Sequence, residues 1–373
     1  MMVLLMLGIW WRLRDTSPPT PVPSSAGSNV ATPVAANLSN PPISAASPKP
    51  GLIDAFQAAV AQLTNARDAA ARKQALEELR RSLAGGDKNE ASAAIRKFLD
   101  SKADASTGLG FKIGSHGMLT EAPTLRTYLL DYLGQVDPAA AADYARVILS
   151  SKDSPDEWAV ALRNLALGDT SPAAHALLEQ KTGELLSYGA WQQNPSTGYL
   201  EAFDAAVYLG GTDLIPALTG LARLQDNPAV AHAAFLALDR SVINDPTTLL
   251  TALLAQPELL QGREQTRADY FARGDVRDPQ QRQLVENYLL SPQTTAAELQ
   301  QFAGVFPNAN YMISQNLLTP TPTPDTANLA GRDAASLNAV QQWQADPRFA
   351  GVRPQLEQIS VRLGQFVKQE QAR

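Results

Sequence analysis

The chain lacks cysteine, which excludes disulfide bonds, thiolate catalysis and every zinc or iron–sulfur site built on cysteine. Histidine is scarce, with 3 residues in 373, and aromatic residues make up only 6%. The 31 Lys and Arg residues against 37 Asp and Glu give a net charge of −6, which argues against a broad nucleic-acid-binding surface. We therefore expect no nucleic-acid partner. The apolar fraction of 45% is still enough for a sizeable core.

Motifs that carry chemistry are missing as well. The sequence contains no His-Glu-x-x-His, no Gly-x-x-x-x-Gly-Lys-Ser/Thr and no Gly-x-Ser-x-Gly. The histidines, His116, His175 and His232, are far apart in the chain and have no partner at helical spacing. We therefore predict no catalytic residue, no metal site and no cofactor.

The chain starts with an apolar segment that is followed by two arginines. Residues 1–11 read MMVLLMLGIWW; as a helix they would extend roughly 16 Å, about half the hydrocarbon thickness of a bilayer. Trp10 and Trp11 beside Arg12 and Arg14 are typical of an interfacial anchor. We predict that residues 1–14 belong to a membrane anchor that begins upstream of Met1. The alternative is an apolar N-terminus without order or function.

Residues 15–50 contain nine prolines, with Ser, Thr, Ala and Asn filling most of the rest. Proline removes hydrogen-bond donors and fixes φ, so this segment is predicted to be a disordered linker. An anchor, a linker and a folded body are together typical of a bacterial envelope protein. We predict attachment to the inner membrane with the body in the periplasm. The orientation stays open, because Arg12 and Arg14 alone would hold the downstream side in the cytoplasm.

From residue 51 onward, apolar residues recur three and four positions apart among strong helix formers. Stripes over 52–63, 69–83 and 90–99 predict helices that need neighbours to cover their apolar faces. The pattern predicts an all-α repeat domain over 51–318. A linker is predicted over 319–334, starting with Thr-Pro repeats, and a C-terminal helical segment over 335–373 that is interrupted near Asp346-Pro347.

A helix template is repeated near the middle of the chain. Val230-Ala-His-Ala-Ala-Phe-Leu-Ala-Leu238 matches Ala202-Phe-Asp-Ala-Ala-Val-Tyr-Leu-Gly210, and a looser copy starts at Trp158. Together with the turn Asp-Asn-Pro at 226–228, this pattern resembles the HEAT-repeat family, most clearly over 199–254. The family's Arg after the Val is replaced by Ala231. The resemblance implies a solenoid of stacked helical hairpins that binds a protein or peptide partner.

One segment breaks the helical pattern. Phe111-Lys-Ile113 and Met118-Leu-Thr120 flank the turn residues Gly-Ser-His-Gly. This arrangement predicts a short β-hairpin that is inserted into the helical array and protrudes from it.

Exposed side chains on successive helices of a solenoid form one extended surface. Arg126 and Tyr132 share one helix with Tyr128 and Asp131, within two turns, and are predicted to line a groove. Arg163 and Asn164 lie on the helix that contains Trp158, on the side opposite its apolar stripe. The predicted partner-contact surface consists of Arg126, Tyr132, Arg163, Asn164, Phe111 and Ile113. For each of the polar residues, an ordinary solvated helix face is the alternative.

We predict a non-enzymatic, membrane-tethered scaffold for protein interactions. The alternative is an all-α carbohydrate-active enzyme, which needs two carboxylates about 5–10 Å apart in an open cleft beside an aromatic platform at Trp191. Anion preference at helix N-termini explains several of these acids without catalysis. A purely structural spacer is the third reading. The candidate carboxylates are Asp153, Asp156, Glu157, Glu201 and Asp204.

Overall fold

The helices predicted from apolar spacing are present in the structure. The computed structural model describes residues 51–310, 314–321 and 328–371. The predicted anchor over 1–14 and the predicted linker over 15–50 lie outside these residues. The described part of the chain is mostly helical and contains one small two-stranded sheet. None of its helices is both long enough and apolar enough to cross a membrane.

The helices are numbered here in chain order. They are α1 (Leu52–Asn65), α2 (Ala69–Ala84), α3 (Lys88–Asp100), α4 (Leu125–Val136), α5 (Pro138–Ile148), α6 (Pro155–Gly168), α7 (Pro172–Ser187), α8 (Gly189–Gln193), α9 (Thr197–Glu201), α10 (Asp204–Leu209), α11 (Ile215–Ala222), α12 (Pro228–Asn244), α13 (Pro246–Ala255), α14 (Glu264–Phe271), α15 (Pro279–Leu290), α16 (Ala296–Val305), α17 (Leu329–Ala345) and α18 (Arg353–Gln371). Short 3₁₀ turns lie at Ser115–Gly117, Pro257–Leu260 and Pro347–Val352.

Many of these helices begin in the same way, with a capping side chain followed by proline. The cap accepts a hydrogen bond from a backbone N–H of the first turn, and proline fits the first turn because it has no N–H to leave unpaired. The turn predicted at 226–228 is confirmed, since Asn227 accepts from Val230 N and α12 starts at Pro228. Helices with this start are α5, α6, α7, α12, α13 and α15.

The helices pack mainly on their neighbours along the chain. Consecutive pairs such as α5 with α6, α11 with α12 and α17 with α18 lie side by side, and α4 also contacts α6, α14 contacts α16 and α16 contacts α18. Small residues allow the close approach: Ala205 and Ala234, both from the repeated template, are fully buried. The copy at 202–210 is not one helix, however, because α9 ends at Glu201 and α10 begins at Asp204.

The β-hairpin predicted over 111–120 is confirmed. Strand β1 (Lys112–Ile113) pairs antiparallel with β2 (Leu119–Glu121), and the 3₁₀ turn Ser115–Gly117 joins them. The expectation that the hairpin protrudes is wrong. Phe111, which precedes β1, is buried, and the backbone N–H of Leu119 donates to the Asp131 carboxylate of α4 (3.0 Å). The hairpin is therefore packed against the helices.

Aromatic side chains connect the C-terminal helices to the helices that precede them. Phe306, which follows α16, contacts Trp343 of α17, with ring centroids 6.1 Å apart. The Trp343 indole N–H donates to Glu286 Oε1 of α15 (2.7 Å). Helix α17 begins at Leu329, within the predicted linker 319–334, and helical structure is interrupted at Asp346, as the sequence predicts.

Candidate functional site

An open groove lies between α3, the end of α5 and the starts of α4 and α6. It has a volume of about 520 Å³, and we call it the Arg126 groove after the predicted contact residue in its wall. Four carboxylates and two cationic side chains line it, which makes its surface acidic. The side chains used below are Asp100, Arg126, Tyr144, Val147, Asp153 and Glu157.

The side chains of Arg126 and Glu157 join α4 to α6 at this groove. Arg126 Nε donates to Glu157 Oε1 (2.8 Å) and Nη2 donates to Oε2 (3.1 Å), while Nη1 donates to the Leu99 carbonyl (2.6 Å). This two-pronged pairing fixes the geometry as well as the charge. Burial alone would lower the pKa of Arg126, but the Glu157 carboxylate raises it more, so the arginine stays charged.

A second contact fixes the wall formed by α5. The Tyr144 hydroxyl donates to Asp100 Oδ1 (3.0 Å). Burial, together with this hydrogen bond, raises the pKa of Tyr144 to about 12. Tyr144 is therefore a neutral donor at physiological pH. Beside it, the Val147 side chain is 55% exposed, which leaves an aliphatic surface next to the carboxylates.

Arg163 and Asn164 do not lie on the exposed face predicted for them. Both side chains are buried in α6. Arg163 Nη1 donates to Asp131 Oδ1 of α4 (2.5 Å) and to the Gly117 carbonyl of the hairpin turn (2.7 Å), and Asn164 Nδ2 donates to the Leu130 carbonyl (2.9 Å). The expectation of exposure is wrong: both side chains extend from α6 to α4, and Arg163 also holds the hairpin turn in place.

The remaining predicted contact residues are separated from the Arg126 groove. Tyr132 is half-buried and stacks on Tyr128, with ring centroids 6.4 Å apart. Burial and the neighbouring Tyr128 raise its pKa, against the opposing charge of Arg80. Phe111 is buried and Ile113 is half-buried in the docked hairpin. The structure therefore brings Arg126 into a groove but does not bring Tyr132, Phe111 or Ile113 to it.

Asp156 and Glu157, two carboxylates of the enzyme alternative, are engaged in structural contacts. Asp156 Oδ1 accepts from Ser196 Oγ and from Gly198 N, which ties α6 to α9. Glu157 is paired with Arg126, as described. Trp191 is buried against Trp158, with ring centroids 5.2 Å apart, and offers no open platform. The open cleft that this alternative requires is not found at Trp191.

Asp204 has a role that the sequence did not reveal. This first residue of α10 is fully buried, and its Oδ2 accepts from Leu318 N (2.7 Å) and Thr319 N (2.8 Å). Its Oδ1 accepts from Thr319 Oγ1 (2.6 Å) and lies 3.3 Å from Arg240 Nε of α12. We call residues 314–321, which contain these donors, the strap. The sequence assigned residues 314–318 to the repeat domain and residues 319–321 to the start of a linker, and only the fold shows the partner of this stretch.

Three further carboxylates, on α9, α12 and α14, are half-buried and have raised pKa values. Burial raises the pKa of Glu201, Asp239 and Asp269 above the ordinary range, although Arg240, Arg273 and Gln301 respectively oppose the shift. Ionisation of these carboxylates therefore lowers the stability of the folded state. Within the described residues, no three His, Asp or Glu side chains are grouped as metal ligands.

Comparison of the chain with protein-family models, with curated proteins and with solved structures finds no match in any of the three.

Proposed function

We propose that this protein is a non-enzymatic interaction scaffold built on a HEAT-like solenoid of helical hairpins, with the Arg126 groove as its partner-binding site. The packing of helices on their near neighbours along the chain supports the solenoid. So does the placement of template alanines at buried helix contacts. The proposed partner is a protein or peptide, and the recognition needs no cofactor.

The observation that carries the proposal is the composition of the Arg126 groove. An open volume of about 520 Å³ is enough for several side chains of a bound segment. Val147 supplies exposed aliphatic surface, and Asp100 and Asp153 lie near it on an acidic lining. The complementary ligand is a peptide with a Lys or Arg side chain next to an aliphatic one.

The walls of this groove are fixed before a partner arrives. The Arg126–Glu157 pair joins α4 to α6, and the Tyr144–Asp100 hydrogen bond joins α5 to α3. Because these side chains are already ordered, binding costs less conformational entropy than folding a mobile surface would. This supports a binding role without requiring a conformational change.

Membrane attachment is a further part of the proposal and depends on the sequence alone. The apolar residues 1–14 would anchor the chain, and the proline-rich residues 15–50 would hold the body away from an inner membrane on its periplasmic side. Alkaline extraction of membranes tests the anchor, and protease protection in intact cells tests the side. Release of the full chain by alkali would contradict the anchor.

Selection of peptides from a phage-displayed library on the full chain tests the Arg126 groove. We expect enrichment of peptides with a basic residue beside an aliphatic one, and binding that weakens as salt rises. The variants Val147→Asp and Asp153→Lys should each reduce binding of the selected peptides at least tenfold.

The matched control is Val361→Asp, which places the same charge on a valine of α18 that is 65% exposed and remote in sequence from the groove. It should leave binding unchanged. Peptides that bind Val147→Asp and Asp153→Lys as well as the wild-type chain would show that the partner site lies elsewhere.

A further inference from the structure

The strap lies against α10, which precedes it by more than one hundred residues, and against α12. Its residues Leu318 and Thr319 contact Asp204 of α10 through two consecutive backbone N–H groups and one hydroxyl. Asn316 Oδ1 accepts from Arg240 Nη1 of α12 (3.3 Å). The strap itself contains neither helix nor strand. Its backbone bends at residues 317–319, so that the N–H groups of Leu318 and Thr319 reach the same Asp204 oxygen. The strap is therefore bound as an irregular, bent peptide, by side chains that belong to other elements.

The surface that receives the strap is shaped for a peptide backbone. Leu317 is fully buried, and its carbonyl oxygen lies 2.0 Å from the position that a Cβ would occupy at Gly117. A side chain at residue 117 would thus occupy the space of the strap. Gly117 has φ +72°, in the region that favours glycine, and is held by Arg163 through its carbonyl. We call this receiving surface, formed by Gly117, Asp204 and Arg240, the strap groove.

The strap groove is selective for sequence. Asp204 takes two successive N–H donors and a hydroxyl on the second residue, which requires a residue other than proline followed by Thr or Ser. In the run Leu-Thr-Pro-Thr-Pro-Thr-Pro at 318–324, only Leu318-Thr319 meets this condition. Every later threonine follows a proline, which has no N–H to donate. Because threonine and proline alternate after residue 319, the run can bind Asp204 in one register only.

We propose that the strap groove is a peptide-binding site for a bent segment of the type aliphatic–aliphatic–Thr, and that the strap occupies it in cis as an autoinhibitory ligand. The proposal rests on the proposed function as an interaction scaffold, but the strap groove shares no residue with the Arg126 groove. A ligand tethered to its own site acts at an effective concentration near the millimolar range. A partner peptide at micromolar concentration therefore binds only when the strap is weakened.

The test uses the full chain and a fluorescein-labelled peptide SQNLLTPT, the sequence of the strap. In the variant Leu317→Gly/Thr319→Val, the strap loses its buried leucine and its hydroxyl while the strap groove keeps every residue. Fluorescence anisotropy should show at least tenfold tighter peptide binding to this variant than to the wild-type chain. Adding Asp204→Asn should reduce that binding at least tenfold, and the peptide SQNLLVPT should bind equally weakly.

The matched control is Thr321→Val, because the Thr321 hydroxyl donates within the strap, to the Ser314 carbonyl, and does not contact Asp204. This variant should bind the peptide no better than the wild-type chain. The proposal is overturned if the folded Leu317→Gly/Thr319→Val chain shows no gain, or if Asp204→Asn leaves the gain intact.

A second measurement serves if the double variant does not fold. In the wild-type chain, millimolar SQNLLTPT should accelerate amide hydrogen exchange at Leu318 and Thr319, whose N–H groups are released from Asp204 when the strap is displaced. Unchanged exchange would overturn the proposal. Peptide selection on the Arg126 groove gives an independent result, so the two sites can fail separately.

Discussion

The buried ion pair between Arg163 and Asp131 shows how much a single residue depends on distant sequence. Both side chains are removed from water, and Asp131 also accepts from Leu119 N of the hairpin. A buried charge is tolerated only when its partner and hydrogen bonds are in place. The pair therefore links the position of the hairpin to that of two helices.

We expect Asp131→Ala to destabilise the fold by about 3–5 kcal/mol, because it leaves the Arg163 charge buried without its partner. Urea denaturation followed by circular dichroism measures the loss. The control Glu77→Ala removes an exposed pair with Lys73 on α2 and should change stability by less than about 0.5 kcal/mol. A loss below about 1 kcal/mol for Asp131→Ala would mean that water reaches Arg163.

Glu201 carries a prediction about pH. Burial raises its pKa in the folded state above the ordinary 4.5, with Arg240 opposing and Asp204 adding to the shift. The folded state then binds the proton more tightly than the unfolded state, so the stability that the protonated form contributes is complete below pH 4.5 and is lost as pH rises through the folded-state pKa. The charge is therefore unfavourable at neutral pH.

We expect Glu201→Gln to raise the thermal midpoint at pH 7 and to change it little near pH 4, where the wild-type carboxyl is already protonated. Calorimetry across this range provides the measurement. The pKa of Glu78 is shifted in the opposite direction, because hydrogen bonds from Gln74 and Gln62 lower it. Glu78→Gln therefore serves as the contrasting variant. An effect of Glu201→Gln that is the same at both pH values would contradict the role of its charge.

Single residues were the least predictable level of this structure. The sequence placed Arg163 and Asn164 opposite an apolar stripe, and polarity alone assigned them to solvent. Their burial follows from Asp131, Leu130 and Gly117, which come from another helix and from the hairpin. No local pattern reports such partners, because the pairing is made by tertiary packing.

At the scale of elements, local patterns carried most of the information. Apolar spacing predicted α1, α2 and α3 within a few residues of their ends. The glycine-rich turn predicted the hairpin but not its docking, because Phe111 is covered by elements far away in the sequence. A capping residue followed by proline, as at Ser154-Pro155 and Asp278-Pro279, marks helix starts between α5 and α15, and the sequence interpretation applied it only at 226–228.

The sequence separation of oppositely charged residues is another feature that reflects how the helices pair. Arg126 pairs with Glu157, Arg163 with Asp131 and Arg267 with Glu298 at separations of 31 or 32 residues. Such spacing is close to the length of one helical hairpin in repeat proteins. Charge pairs at this interval are therefore consistent with the proposed helical repeat.

The hairpin turn gives a prediction for an element as a whole. Gly117→Ala should destabilise the fold by more than about 2 kcal/mol, since the residue has φ +72° and its Cβ would overlap the Leu317 carbonyl. Thermal unfolding of the two alanine variants Gly117→Ala and Gly110→Ala makes a matched comparison. Gly110 has open space around its Cβ position and no positive φ, so its variant should stay close to wild type. Equal losses would refute docking of the turn on the strap.

At the scale of the whole molecule, the strap makes the hydrogen bonds of greatest sequence separation among the described residues. Arrays in which helices contact their near neighbours tend to unfold in pieces, because each unit is stabilised only locally. The strap joins the segment after α16 directly to α10 and to the hairpin. It therefore couples parts of the chain that are otherwise connected only through intervening helices.

We expect Thr319→Val to separate the unfolding of α4–α7 from that of α14–α18. Hydrogen exchange read by mass spectrometry across a urea series should show a wider gap between the two midpoints than in the wild-type chain. Thr321→Val, which keeps all hydrogen bonds to Asp204, should leave the gap unchanged. The same gap in both variants would show that the strap does not transmit stability.

The position of the strap late in the chain also affects synthesis. Asp204 leaves the ribosome 114 residues before Leu318, an interval on the order of ten seconds at ordinary translation rates. Throughout that time, the Asp204 carboxylate has Arg240 and water as its partners but none of the strap donors, and the strap is absent from the space beside Gly117. The newborn protein thus passes through a stage in which its receiving surface is vacant, and any Leu-Leu-Thr peptide or chaperone present then meets no competitor.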